Sequence, residues 1–465
     1  MLGKVFKAYD VRATFPKPLS PKLAWQIGYG TAQFLTEQAA EAGYDEPMMR
    51  HIVVGRDMRT SSPELSDALK QGIRDFGASV IDVGMVDTPF IYFAINYLGC
   101  CGGVQTTASH NPSNYNGFKI SKIAAKPVGM ATGLDDIRRL AAMADPDKIE
   151  PAGGRGEQRE LWEAYTEHVR SFLSPHLMDG SMKLKVAIDA SNGMAGTMVP
   201  KVFEGVPGLD ILKINFDNST GEFVHEPNPL VEANLRQVRD AVRAEGADLG
   251  ICFDGDADRC MVVDEHADIV ACDHLTAWLA KGFLAKSPGE AIVFDLRSTK
   301  ALPEIITEAH GTPVKSRVGH VFMKAKLAEY NAVFGGELSG HFYFRDNFNA
   351  DSGAIAFACV ASALAEAKGP LSKQIKPAKR YCQSGEINFE TEDKEAALAD
   401  LKNAYPDARV EELDGVTVDA GSWWCNVRPS NTEPLLRLNL EGPDPATVDR
   451  LISEVSRYFG RRVEH

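Results

Sequence analysis

The chain is expected to be an α/β protein: three similar α/β domains with mixed, largely parallel sheets, then a C-terminal α+β domain. Three observations predict this. Short apolar strand patterns alternate with helix-length amphipathic stretches, which implies parallel pairing through crossover helices. The alternation restarts after residues 145–157 and again near 265, each time setting a strand before a polar, glycine-containing loop. Beyond Pro377 the texture changes to residue-by-residue alternation, as in Ile387-Asn-Phe389, Val416-Thr-Val418 and Leu436-Arg-Leu438-Asn-Leu440.

In the first segment, Leu23–Ala39 is expected as a helix anchored by Trp25, Ile27, Phe34 and Leu35. His51–Gly55 is a buried strand, followed by the loop Arg56–Thr60. Ser62 is expected to cap a helix with Pro63 in its first turn. Ser79–Val83 is a strand, Pro89–Leu98 a helix and Gly103–Gln105 the next strand. Residues 145–157, with Pro151, Gly153, Gly154 and Gly156, read as a linker. The second segment has a helix over Leu161–Leu173, strands at Leu184–Ile188 and Asp248–Phe253, and a helix over Val231–Ala244. The third has a helix at Leu275–Leu284 and strands at Ala291–Leu296, Thr312–Val318 and Ala332–Phe334. The last part has helices near 393–403 and 446–458.

With 465 residues, 44% hydrophobic and 25% charged, the chain can bury cores without covalent staples. A net charge of −14 argues against nucleic acid as a partner. No apolar run reaches the ~18 residues of a membrane span, and Lys4, Lys7 and Asp10 interrupt any leader-like stretch. The 8 cysteines form no CxxC pair, which fits reduced thiols and a cytoplasmic setting.

In open α/β sheets, sites gather beyond the carboxyl ends of strands. Thr106-Thr107-Ala108-Ser109-His110-Asn111-Pro112 falls there, with Lys119 ten residues after Ser109. Asp254-Gly255-Asp256-Ala257-Asp258-Arg259 follows another strand. In an extended segment its three carboxylates would share a face, and oxygen-only ligands suit Mg²⁺. A calcium EF-hand is rejected: Arg259 stands where that loop needs its turn glycine, and an apolar strand, Met261–Val263, follows at once. Arg428-Pro429-Ser430-Asn431-Thr432 offers a guanidinium fork, hydroxyls and loop amides, donors that match a phosphate. Glu337, Ser339 and His341 alternate in a glycine-rich loop and suit sugar hydroxyls; His320, after Gly319, is a candidate base or a helix-capping residue. A hydroxyl, a divalent cation and a phosphate clamp are the parts of phosphoryl transfer.

Together these stretches resemble the α-D-phosphohexomutase family, in particular its bacterial phosphomannomutase/phosphoglucomutase branch. The likeness runs in order from Tyr9-Asp10-Val11-Arg12 through the Ser109 and Asp254 stretches, Gly319-His320 and Gly336-Glu-Leu-Ser-Gly-His341 to Arg428-Pro-Ser-Asn-Thr432. The resemblance implies four domains around a central cleft, each giving one loop; the boundaries are placed at 1–154, 155–264, 265–374 and 375–465. It implies a mutase interconverting hexose 1-phosphate and hexose 6-phosphate, of mannose or glucose, through phosphorylated Ser109 and a hexose 1,6-bisphosphate that also acts as activator. Asp254, Asp256 and Asp258, with Ser109, would bind Mg²⁺. Lys119, Arg259 and His320 would surround the reacting phosphoryl group, and Lys119 or His320 would help move the proton. Tyr9, Arg12, His110, Arg297, Gly319, Glu337, Ser339, His341, Arg428, Ser430, Asn431 and Thr432 would contact substrate. Sugar phosphates are the expected partners of a monomer or homodimer. The alternatives are a phosphoglucosamine mutase and a non-catalytic sugar-phosphate-binding protein. Four positions depart from the family pattern: Ala13 and Ala257 stand where glycine is common, Arg297 where lysine is, and Leu338 where methionine is.

Overall fold

In the computed structural model, residues 2–430 and 435–463 are described. The chain divides into two compact units, Met1–Val270 with Ser339–Ser372, and Ala271–Leu338 with Lys373–His465.

The first unit contains two mixed sheets of one design. In the first, His51–Arg56 lies between Ser79–Met85 and Gly102–Thr106, parallel to both; Tyr115–Lys122 then pairs antiparallel with Gly102–Thr106. In the second, Leu184–Asp189 lies between Leu209–Ile214 and Leu249–Phe253, parallel to both; Cys260–Val263 pairs antiparallel with Leu249–Phe253. The internal repeat expected from the sequence is therefore present in strand order as well as in pattern. Residues 145–157 are not purely linker: Gly156–Gln158 forms an exposed strand parallel to Ser79–Met85.

Pro21–Glu41 starts at Ser20, whose hydroxyl accepts from Leu23 N, and Pro21 occupies the first turn. It packs on Ser62–Phe76 at glycines: a Cβ on Gly28 would lie 2.2 Å from Leu69 O, and one on Gly72 2.0 Å from Trp25 O. Ser62 is not the cap of its helix. Ser61 holds that position, and the Ser62 hydroxyl donates to Asp57 Oδ1 instead. Apolar side chains of both helices, including Leu23, Ile27, Leu65, Leu69 and Ile73, fill the core above the sheet. Gly353–Glu366 is buried on nearly every face and capped by Ser352. Among the described residues no single helix is long and apolar enough to cross a membrane. All eight cysteines are free.

In the second unit, Thr312–Ser316, Ala291–Asp295 and Phe334–Gly336 form parallel strands with Ala291–Asp295 in the middle. The C-terminal part is a six-stranded antiparallel sheet in the order Arg409–Glu411, Val416–Asp419, Trp424–Pro429, Leu435–Gly442, Cys382–Glu390, Arg461–Val463. The helices Lys394–Ala404 and Pro445–Val455 supply Leu401, Val448 and Leu451 to its core.

Candidate active site

Ser109 sits three residues beyond the fully buried strand Gly102–Thr106. It is itself buried and adopts a left-handed backbone with φ 50°, an uncommon conformation for a residue with a side chain. Thr107 Oγ1 accepts from Ser109 N at 3.0 Å, and Ser109 Oγ donates to Asp254 Oδ2 at 2.8 Å. Asp254–Arg259 is the loop of the hairpin that pairs Phe253 with Cys260. The three aspartates converge through a turn, not along an extended segment: Ala257 has φ 57°. Glycine would adopt that angle without strain. A Cβ on Gly255 would fall 2.4 Å from Ser109 O, so the two loops meet backbone to backbone.

Carboxylate oxygens of Asp254, Asp256 and Asp258 lie within 4.8 Å of one another, all buried. Lys119 comes from the antiparallel strand beside the Ser109 strand and donates to Asp256 Oδ2 at 2.7 Å and Asp258 Oδ2 at 2.5 Å. Thr88 Oγ1 donates to the same Asp256 oxygen at 2.5 Å, while Asp256 Oδ1 is buried with no hydrogen-bond partner. A hard cation suits that donor set, since oxygen-only ligands with an unsatisfied lone pair are what Mg²⁺ takes up. Burial and the charges of Asp258 and Asp256 push the Asp254 carboxyl well above its ordinary range. Burial would also raise Asp258, but Lys119, His341 and Arg259 hold it well below. For Lys119, burial works against the charge, yet the three aspartates outweigh it and raise its pKa. Lys119 is thus a fixed cation in this arrangement.

Around this centre, Arg12 donates to Asn111 Oδ1 at 2.6 Å and pairs with Asp10. Tyr9 occupies the bend before Arg12's strand. His110 is neutral: burial, then Arg259, Arg12 and Lys119, lower its pKa strongly, and its Nδ1 is buried without a partner. Arg259 donates its backbone N–H to Asp254 Oδ1 at 3.2 Å, with its Nε 3.7 Å from Asp254 Oδ2. His341 Nε2 lies 3.3 Å from Asp258 Oδ1, and its Nδ1 is 2.8 Å from Ser339 Oγ. Tyr9, Arg12, Ser109, His110, Lys119, Arg259, Ser339, His341 and the three aspartates therefore belong to the first unit.

Arg297, Gly319, His320, Glu337, Arg428 and Ser430 belong to the second. Arg297 lays its fork on Asp295, with Nε and Nη2 each 3.0 Å from a carboxylate oxygen. A lysine could not make that bidentate pair. Glu337 Oε1 accepts from Gly319 N at 3.1 Å, where Gly319 precedes the helix His320–Tyr330. Arg428 is the next-to-last residue of the central strand Trp424–Pro429 of the C-terminal sheet. It donates to Glu386 Oε2 at 3.0 Å, and Arg437 lies 3.4 Å from the other oxygen of the same carboxylate. Ser430 N donates to Leu435 O at 2.8 Å. Asn431 and Thr432 lie outside the described residues.

Four consecutive segments match family models: phosphoglucomutase/phosphomannomutase alpha/beta/alpha domain I over residues 3–143, domain II over 163–267, domain III over 271–381, and the C-terminal domain over 386–457. The chain belongs to the phosphoglucomutase/phosphomannomutase family. A Salmonella typhimurium phosphomannomutase is 36% identical over 445 residues, 94% of each chain. A Xanthomonas campestris protein named as phosphohexose mutases is 37% identical over 456 residues, 97% of this chain and 98% of that one. A crystal structure of a phosphoglucomutase/phosphomannomutase family protein from Burkholderia thailandensis superposes with a TM-score of 0.85 at 30% identity, covering 98% of this chain and 96% of that one. This mutase family comprises phosphotransferase isomerases, and the chain is one of them: a hexose-phosphate mutase with three α/β domains and a C-terminal antiparallel domain.

Sequence reading assigned no role to Thr88, Arg59, Glu386 or Arg437. Thr88 directly precedes the expected helix Pro89–Leu98, and Arg437 alternates with leucines in an expected strand. Charged residues directly after the strand His51–Arg56 were the one available signal, since loops at strand ends carry function.

Proposed function

We propose that this mutase interconverts hexose 1-phosphate and hexose 6-phosphate, of mannose or glucose, by way of phosphorylated Ser109 and a hexose 1,6-bisphosphate. The observation that carries the reading is the 2.8 Å contact between Ser109 Oγ and the buried aspartate cluster. The names of the full-length relatives support the sugar class.

The phosphoryl group of Ser109 passes to the free hydroxyl of the bound hexose phosphate. The phosphorus–oxygen bond to serine breaks, one to the sugar forms, and the hydroxyl proton is taken up by a nearby base. The bisphosphate then returns its other phosphoryl group to Ser109. Asp254, Asp256 and Asp258, with an oxygen of the phosphoserine, would hold Mg²⁺, which when bound neutralises charge building on the transferring group. Lys119 and Arg259 would supply further positive charge, and His320 would be the base that takes up the hydroxyl proton, because the raised pKa of Lys119 keeps it charged. Arg12 and His110 would contact the reacting phosphate from the Ser109 side, with Tyr9. Arg428, Ser430, Asn431 and Thr432 would hold the phosphate that is not reacting, with Arg297, Gly319 and His341 in support. Glu337 and Ser339 would hold ring hydroxyls. Positioning and fixed charge would supply most of the acceleration. Free hexose 1,6-bisphosphate would prime the serine. Eight free cysteines support work in a reducing compartment.

The test is intact-mass measurement before and after incubation with glucose 1,6-bisphosphate, alongside assays on mannose, glucose and glucosamine phosphates. One added phosphoryl group, lost in Ser109→Ala together with turnover, is expected. Turnover that survives Ser109→Ala, or no phosphate and no bisphosphate dependence, would refute the relay. Fastest turnover on glucosamine phosphate would reassign the sugar.

A further inference from the structure

We infer that Arg59 is a positioning residue for Ser109, one that fixes the serine loop by binding its backbone. The inference rests on the proposal that Ser109 carries the phosphoryl group.

Arg59 lies in the loop after His51–Arg56, the strand next to the one that delivers Ser109. Its side chain is wholly buried. A guanidinium has five N–H donors in a fixed plane, and here all five are used. Nε donates to Asp57 Oδ2 at 3.0 Å. Nη1 donates to Pro112 O at 2.6 Å and Tyr115 O at 3.2 Å. Nη2 donates to Ser109 O at 2.8 Å and Asn111 O at 2.7 Å. Four of the five bonds therefore end on main-chain carbonyls of the turn that presents the serine hydroxyl.

Two further contacts fix the guanidinium itself. Asp57 Oδ1 accepts from Arg59 N at 3.0 Å and from the Ser62 hydroxyl, which ties the Arg59 loop to its helix. Phe223 places its ring 5.0 Å from Arg59 Cζ. That ring belongs to a segment anchored beside the metal-loop sheet: Asn192 Nδ2 donates to Asp217 O at 2.7 Å, and Val224 N to Asn192 Oδ1 at 3.0 Å. The segment lies directly on the Arg59 loop, since a Cβ on Gly221 would meet Thr60 N at 2.8 Å and Met58 O at 2.9 Å.

Ser109 pairs a left-handed backbone with a hydroxyl that must reach Asp254. Such a conformation persists only when its surroundings over-determine it. Arg59 supplies that determination from below the loop, and its donors go to Asp57 and main-chain carbonyls, not to the Ser109 hydroxyl. Loosening it displaces the serine and the turn around it, while Glu337, Ser339 and Arg428, proposed above for the ring hydroxyls and the non-reacting phosphate, lie on segments that Arg59 does not bond. The signature is a fall in kcat at constant KM.

Arg59→Lys is the informative variant, because an ammonium has three donors and no fork, leaving at least two of the five acceptors unserved. The expected result is a fall in kcat of about 10- to 100-fold, with KM for the hexose phosphate within about twofold. Single-turnover transfer from glucose 1,6-bisphosphate to Ser109 should slow by the same factor as kcat. Phe223 is half-buried, so Phe223→Leu is expected to fold; it should show the same signature at roughly three- to tenfold, with Phe223→Tyr restoring wild-type kcat. Wild-type kcat in folded Arg59→Lys, or a change confined to KM, overturns the inference; if Arg59→Lys does not fold, Phe223→Leu decides by the same numbers. If the wild-type protein takes up no phosphate at Ser109, the phosphoserine proposal fails first and brings this inference down with it.

Discussion

Replacing Gly255 with alanine adds one methyl group where the two central loops touch. The new Cβ would stand 2.4 Å from Ser109 O and 3.3 Å from its carbonyl carbon. Ordinary carbon–oxygen contact begins at 3.4 Å, so the loops must part by 3.4 − 2.4 = 1.0 Å. Ser109 O has little freedom to yield, because Arg59 Nη2 grips it at 2.8 Å. Most of the displacement then falls on the 2.8 Å contact between Ser109 Oγ and Asp254. A misplacement of ~1 Å between reacting groups costs about 100-fold in rate, or about 2.7 kcal/mol of barrier. Overpacking should also cost about 1–3 kcal/mol of stability. Steady-state kinetics with a parallel melting curve measure both. A kcat within threefold of wild type, at an unchanged melting temperature, would refute the claimed closeness of the loops.

Two further substitutions probe the first unit. Burial pushes the Asp87 carboxyl up from 3.8 to about 7, against the hydrogen bond from Tyr165. A carboxyl raised on folding stabilises most below its unfolded pKa, and that contribution is lost as pH rises toward 7. Between pH 5 and 7 the wild-type protein should lose stability through this group, by at most about 1 kcal/mol per pH unit and less steeply as pH nears 7. Asp87→Asn should flatten the dependence, read as the difference between the two melting curves; parallel curves over that range would remove the assignment. Gly72→Ala brings a methyl to 2.0 Å from Trp25 O across a helix pair. It should cost at least about 1–3 kcal/mol while leaving KM unchanged, and a variant that melts with wild type would show that the helices are free to separate.

The elements that sequence reading found were those with a clear period or a clear stop. His51–Arg56, Leu184–Asp189 and Ala291–Asp295 are apolar runs ending at polar turns, and each lies where expected within a residue or two. Leu209–Ile214 was missed because it is only partly buried and alternates imperfectly. Gly353–Glu366 was missed for the opposite reason: a helix buried nearly all round shows no polar face. Ala195–Phe203 carries Pro200 inside it, a residue that argues against a helix interior. At the site, Ser109 and the aspartates were legible because transfer chemistry needs those side chains at short spacing. Arg59 and Thr88 were not, because their work is done across 50 and 168 residues of sequence, and nothing local marks a guanidinium aimed at carbonyls.

Lys119 adds a consequence for how the chain is made. With its ammonium between Asp256 and Asp258, the acidic hairpin carries a built-in counter-ion. As the hairpin folds, this one ammonium offsets part of the charge of three buried carboxylates, and a divalent ion entering there would have to share or displace the lysine contacts.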